Sequence, residues 1–161
     1  MKNLRIWSLL CLIWMGVLAA SAQDTGKEKI SLGDAMPAIT LSSEIYGKVT
    51  PADLKGKVVL VSLFATWCGP CKKSMQSMVP LKKNLSSKDI VYIYLTGPSS
   101  PENIWKSNLS KMTGVHYRLT DSQWKYLCTS YGVTGIPAYL IISHDGKLQG
   151  RYVGFPGEMV L

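Results

Sequence analysis

Val58-Val59-Leu60-Val61-Ser62-Leu63-Phe64 is a nearly continuous apolar, β-branched run that stops just short of Cys68-Gly69-Pro70-Cys71. Such a run reads as a strand buried on both faces. Beyond it the period changes. Cys71, Met75, Met78 and Leu85 recur at helical spacing, with Lys72, Lys73, Lys82 and Lys83 mainly on other faces. Pro80 falls inside this pattern and is expected to kink the helix or end its first half. A dithiol therefore sits where a buried strand hands over to a helix, which confines the chain to an α/β architecture.

The remaining segments fit that frame. Met36 to Leu41 alternates and reads as a short strand, turned back at Tyr46-Gly47-Lys48 into a second arm at Lys48-Val49-Thr50. Ile90 to Leu95 and Ala138 to Ile142 are two further buried strands. Pro101 suits a first helical turn, with Trp105, Leu109 and Met112 following at helical spacing up to Gly114. Val115 to Leu119 is a short extended piece. Thr120-Asp121-Ser122-Gln123 is a capping-box pattern that opens a stripe of Trp124, Leu127, Cys128 and Tyr131, ended by Gly132. Asp145-Gly146 is a hairpin signal, and Leu148 to Val153 returns as an edge strand. Alternation of β and α segments with a closing hairpin predicts a mixed sheet covered by helices.

The chain begins like a processing signal: Lys2 and Arg5, an apolar run from Ile6 to Ala20, then Ala20-Ser21-Ala22 before Gln23. The run is short for a membrane span, which needs about 20 residues. The expected division is a signal over 1–22, a flexible lead-in over 23–32 and one domain over 33–161, exported to the periplasm. Membrane attachment follows only if the N-terminal segment is retained as an anchor. The formal net charge is +8 and stays positive without Lys2 and Arg5. The lysines are scattered in pairs with no aromatic interleaving, which gives no nucleic-acid footprint.

Of the four cysteines, Cys11 lies within the apolar run, which leaves Cys68, Cys71 and Cys128. The thiolate is the nucleophile in cysteine chemistry, and a helix N-terminus favours it through unpaired N–H groups and the positive end of the dipole. Cys68 falls at such a terminus, Cys71 lies one turn further in, and Pro70 fits the first helical position. The expected chemistry is attack by Cys68 on a disulfide, a mixed disulfide, then resolution by Cys71. A zinc site would need two more ligands, and Cys128, His116 and His144 have no paired spacing. A purely structural disulfide would close too small a loop to gain much chain entropy. No metal or cofactor is called for. Cys128 reads as a buried apolar filler, and both histidines as surface residues.

Trp67-Cys68-Gly69-Pro70-Cys71 after a buried strand resembles the thioredoxin superfamily. Ala65-Thr66-Trp67, the leading Met36-Pro37 hairpin and Gly135-Ile136-Pro137 before a strand resemble its TlpA/ResA-like exported branch. The resemblance covers roughly Gly33 to Gly154. It implies a three-layer α/β/α fold with a central mixed sheet and an N-terminal β-hairpin extension. It implies that Cys68 is the nucleophile and Cys71 the resolving thiol of a redox-active disulfide. Trp67, Gly69, Pro70, Ile136 and Pro137 would form the substrate surface, with Pro137 as the family's cis-proline. The substrates would be disulfide-bearing proteins, including apocytochromes, and a membrane-embedded thiol donor would recharge the dithiol. The Gly-Pro pair is thioredoxin's own, whose potential is about −270 mV against about −120 mV for a strong oxidant, which favours reductase over oxidase. The alternatives are a binding module of the same fold, or a cytochrome c maturation thiol reductase with a dedicated partner.

Three departures from the family pattern stand out. Ser62 occupies the place of thioredoxin's buried Asp. Ser74 and Gln76 stand where the ResA-like pattern has Glu and Pro. The closing C-terminal helix is missing or truncated, with only Pro156 to Leu161 after the last strand, so one sheet face is expected to be partly uncovered.

Overall fold

The computed structural model describes residues 29–36, 39–85 and 89–157. The expected processing signal, the first part of the lead-in, Pro37 and residues 158–161 lie outside them. A five-stranded sheet has the order β5-β4-β3-β6-β7, and a two-stranded hairpin, β1-β2, stands apart from it. β3 (Val58–Phe64) runs parallel to β4 (Ile90–Thr96), and β4 parallel to β5 (Val115–Arg118). β6 (Ala138–Ile142) is antiparallel to both β3 and β7 (Leu148–Val153).

The strand alternation sorts the core into two layers. Val59, Val61, Leu63, Ile93, Leu95, Leu140 and Ile142 pack on one face with Leu127 and Tyr131 of α3 (Asp121–Ser130). Tyr46 and Val49 of the hairpin region pack against the same cluster. The alternate residues face the other way. Leu60 and Tyr139 meet Met78 of α1 (Gly69–Asn84), and Phe64 and Tyr94 meet Trp105 of α2 (Glu102–Asn108). Helices thus cover both faces of a mixed sheet, the three-layer arrangement expected. No helix follows β7 among the described residues. Phe155 instead lies edge-on against Tyr139, with ring centroids 5.9 Å apart.

Four local expectations are corrected. The first strand, β1, is Leu41–Ser43 rather than Met36 to Leu41, paired with β2 at Gly47–Val49. Ser43 Oγ accepts from the backbone N–H groups of Ile45 and Tyr46 and sets the turn there. Ala35 and Met36 bond instead to the distant β6–β7 turn, through a bridge to Lys147 and a bond from Met36 N to Gly146 O. Helix α1 runs through Pro80 to Asn84. Pro80 is exposed, while Met78 and Leu81 beside it are buried, so packing holds the helix together across the missing N–H. Pro70 is the second helical residue and not the first, and Pro101 is the N-cap of α2.

The fourth correction concerns His116. It is wholly buried rather than at the surface. The short β5 places it beside Tyr94 of β4, and the two rings stack 4.6 Å apart at 8°. Nε2 hydrogen-bonds the carbonyl of Met112, and burial lowers the imidazole pKa. His144 is exposed, as expected.

Candidate active site

The β3–α1 junction is held from below before it presents any sulfur. Thr96 Oγ1 donates to Phe64 O at 2.9 Å and lies 2.6 Å from Ser100 Oγ, which accepts from Thr66 N. Arg118 donates to the carbonyls of Ser100 and Pro98. Two strands and a loop thereby fix the last residues of β3 and the turn after it.

Cys68 is the N-cap of α1. It has extended backbone, its N–H donates to Ala65 O, and its sulfur accepts from Cys71 N at 3.1 Å. This is the helix-start position expected from the sequence, where free N–H groups favour an anionic sulfur. Cys68 and Cys71 are joined as a disulfide, with Cα atoms 5.2 Å apart. Both are buried, whereas Trp67, Gly69 and Pro70 around them are exposed. A Cβ on Gly69 would meet nothing within 4 Å, so the space beside this residue is open.

The Ile136–Pro137 peptide bond is cis. Ile136 packs against the cluster that holds both cysteines, and Pro137 is buried at the entry to β6. Trp67, Gly69, Pro70, Ile136 and Pro137 therefore do gather around the Cys68–Cys71 pair. Cys128 does not. It is a free, half-buried thiol of α3, packed against the opposite core layer, and burial raises its pKa. No group of three or more His, Cys, Asp or Glu that could hold a metal exists among the described residues.

Redoxin is the family model that matches this chain, over residues 31–159. The chain belongs to the Redoxin family. Thiol-disulfide oxidoreductase ResA of Bacillus subtilis (strain 168) is 30% identical over 98% of this chain and 88% of its own length. Thioredoxin-like protein YneN of the same organism is 27% identical, over 82% of this chain and 78% of its own. Among solved structures, a putative thiol:disulfide interchange protein DsbE from Chlorobium tepidum superposes with a TM-score of 0.65. It is 25% identical and covers 79% of this chain and 88% of that one. The thioredoxin domain of a thiol-disulfide oxidoreductase from Bacteroides vulgatus reaches 0.68 at 23% identity, covering 78% and 91%. With its disulfide intact at a helix N-terminus, this Redoxin member is a thiol–disulfide oxidoreductase of ResA-like type, and the reading as a mere binding module is not favoured.

The polar groups on the α1–β6 side of Cys71 in this Redoxin member are hydroxyls. Ser74 Oγ donates to Cys71 O at 3.0 Å and accepts from Tyr139 Oη at 2.9 Å. Ser62 faces Tyr139 in the β3–β6 register and is buried. Burial raises the Tyr139 pKa, outweighing the opposite pull of the Ser74 and Ser62 hydroxyls. Tyr139 was not singled out from the sequence. Strand alternation after Pro137 was the available signal, since it turns Tyr139 toward α1 while Ala138 and Leu140 point away.

Proposed function

We propose that this chain is exported and reduces disulfides in protein substrates. In this reading residues 1–22 are a cleaved export signal, 23–32 a lead-in and 33–161 the working domain, acting in the periplasm. The reduced Cys68 thiolate attacks one sulfur of a substrate disulfide. A Cys68–substrate disulfide forms and the first substrate sulfur leaves as a thiolate, to be protonated. Cys71, deprotonated in turn, attacks Cys68 Sγ, releases the second substrate sulfur and closes the Cys68–Cys71 bond. Two electrons pass to the substrate. A membrane-embedded dithiol donor reverses these steps and restores the thiols. Trp67, Gly69 and Pro70 on one side and Ile136-Pro137 on the other receive the substrate chain, with the Ile136 backbone offered to it.

The observation that carries this reading is the Cys68–Cys71 disulfide at the α1 N-terminus, with open space above Gly69 and the Ile136-Pro137 turn packed beside it. No helix among the described residues is long and apolar enough to cross a membrane. Insulin reduction by the dithiothreitol-recycled protein is the test, with Cys68→Ser as the inactive control. Turnover that survives Cys68→Ser would overturn the nucleophile assignment. Cys71→Ser should stall the mixed disulfide and retain substrate on Cys68, which identifies the substrates.

A further inference from the structure

The dithiol has a second flank, opposite in kind to the exposed Trp67 side. Between α1 and the segment joining α2 to β5 lies a cavity of about 610 Å³, and Cys71, Ala65 and Thr66 form part of its wall. Its floor is apolar, built by Phe64, Met75, Tyr94 and Met112, and Val79 at its mouth is exposed. Its polar side is of one sign: Lys72, Lys82, Lys83 and Lys111 line it, and no Asp or Glu does. These lysines come from α1 and from the turn after α2, so the charge converges by folding rather than by a run in the sequence.

Lys82 is the most constrained of them. Its ammonium lies 4.6 Å from the centroids of both Tyr92 and Tyr94 and donates to Thr113 O. Desolvation lowers its pKa to about 8. A half-buried cation held on aromatic faces beside a largely apolar cavity is suited to an incoming carboxylate, since a charge-assisted bond strengthens as the local dielectric falls.

We propose that this cavity is a substrate subsite that takes an apolar side chain followed by a carboxylate, in a peptide segment adjoining the substrate's reacting cysteine. The proposal rests on the reductase reading, because the occupant is delivered by the mixed disulfide. A polypeptide tethered to Cys68 has a high effective concentration at the neighbouring wall. That tether favours a peptide over a free small anion or an acyl chain, and the lysine cluster favours an acidic peptide over a neutral one.

The experiment uses disulfide-linked model peptides identical except for the two residues after the cysteine: Leu-Glu, Leu-Gln or Leu-Lys. The Leu-Glu peptide is expected to be reduced with a kcat/KM about three- to tenfold above Leu-Gln at low salt, with Leu-Lys slowest. The preference should shrink toward one at about 1 M salt, where the screening length is near 3 Å. In a Lys82→Gln/Lys111→Gln variant the Leu-Glu to Leu-Gln ratio should fall to about one. Equal rates for the three peptides in the unmodified protein, or a ratio that survives the double substitution, would overturn the subsite and leave the reductase reading standing. A cysteine-free Leu-Glu peptide reports on the cavity without turnover. It should shift the Met75 and Met112 methyl resonances of the oxidised protein, and the absence of a shift overturns the subsite. Methyl shifts without reduction of any peptide would keep the subsite and overturn the reductase reading. Phosphatidylglycerol vesicles that shift these methyls where the peptide does not would assign the cavity to a membrane, against the proposal.

Discussion

Under Cys71, Ser62, Ser74 and Tyr139 stand in for the carboxylates of the thioredoxin and ResA-like patterns. A neutral hydroxyl does not ionise near pH 7, so the pH profile of disulfide reduction should show the thiol step and no carboxylate step. Ser62→Asp is expected to add one, with a pKa raised by burial. A two-step profile in the unmodified protein would mean that a carboxylate elsewhere handles the proton. The bonds themselves make a separate prediction. Ser74→Ala takes the α1 partner from the Tyr139 hydroxyl and should cost about 1–2 kcal/mol in urea unfolding, while Tyr139→Phe should cost about 1. The double variant should cost less than the sum, because the two groups share one bond. This trio also shows where reading by residue stops. The absence of acids at positions 62 and 74 is legible in the sequence, whereas the phenol that bridges to Ser74 comes from a strand 65 positions away.

The α1 N-terminus was legible because its signals are contiguous: buried strand, cysteine, Gly-Pro, cysteine. The N-cap sulfur accepting from Cys71 N implies that the reduced Cys68 thiolate is favoured by the helix end, while burial opposes ionisation of Cys128. Iodoacetamide at pH 7 should therefore label reduced Cys68 at least about tenfold faster than Cys128. Rapid labelling of Cys128 in the folded protein would overturn its place against the core. The α2–β5 connection was less legible, since its geometry depends on a neighbouring strand. Gly114 has φ of 136°, and a Cβ there would lie 2.8 Å from Tyr92 O. Gly114→Ala should cost about 2 kcal/mol or more. It should also disturb Met112 and Thr113, which line the cavity. A denaturation midpoint within error of the parent's would show that the turn relaxes freely. Burial of His116 was illegible for the same reason: a four-residue strand gives no periodicity of its own, and Tyr94 decides what lies beneath it.

At the scale of the whole molecule, Lys82 sets function against stability. Its pKa is lowered from 10.5 to about 8 in the folded protein. The unfolded chain therefore holds this proton more tightly, and stability rises as pH climbs from about 8 to 10.5. Below about pH 8 the cost of the desolvated cation is fully present. Lys82→Met should raise stability at pH 7 by about 1 kcal/mol, after allowance for the side chain's partial exposure, and the gain should vanish near pH 10.5. His116 adds a second limb. Its lowered pKa means that the unfolded chain takes up that proton first as pH drops through about 6.5, so stability falls there. Lys82 contributes to that shift, and Lys82→Met should soften the limb. The contacts of Lys82 with Thr113 O and the Tyr92 and Tyr94 rings offset part of its cost, and an arriving anion would offset more. The Leu-Glu peptide should therefore raise the midpoint of the parent protein at pH 7 and raise that of Lys82→Met much less. Equal stabilisation of both would mean that the peptide binds without this ammonium, and that the cost of Lys82 serves some other end.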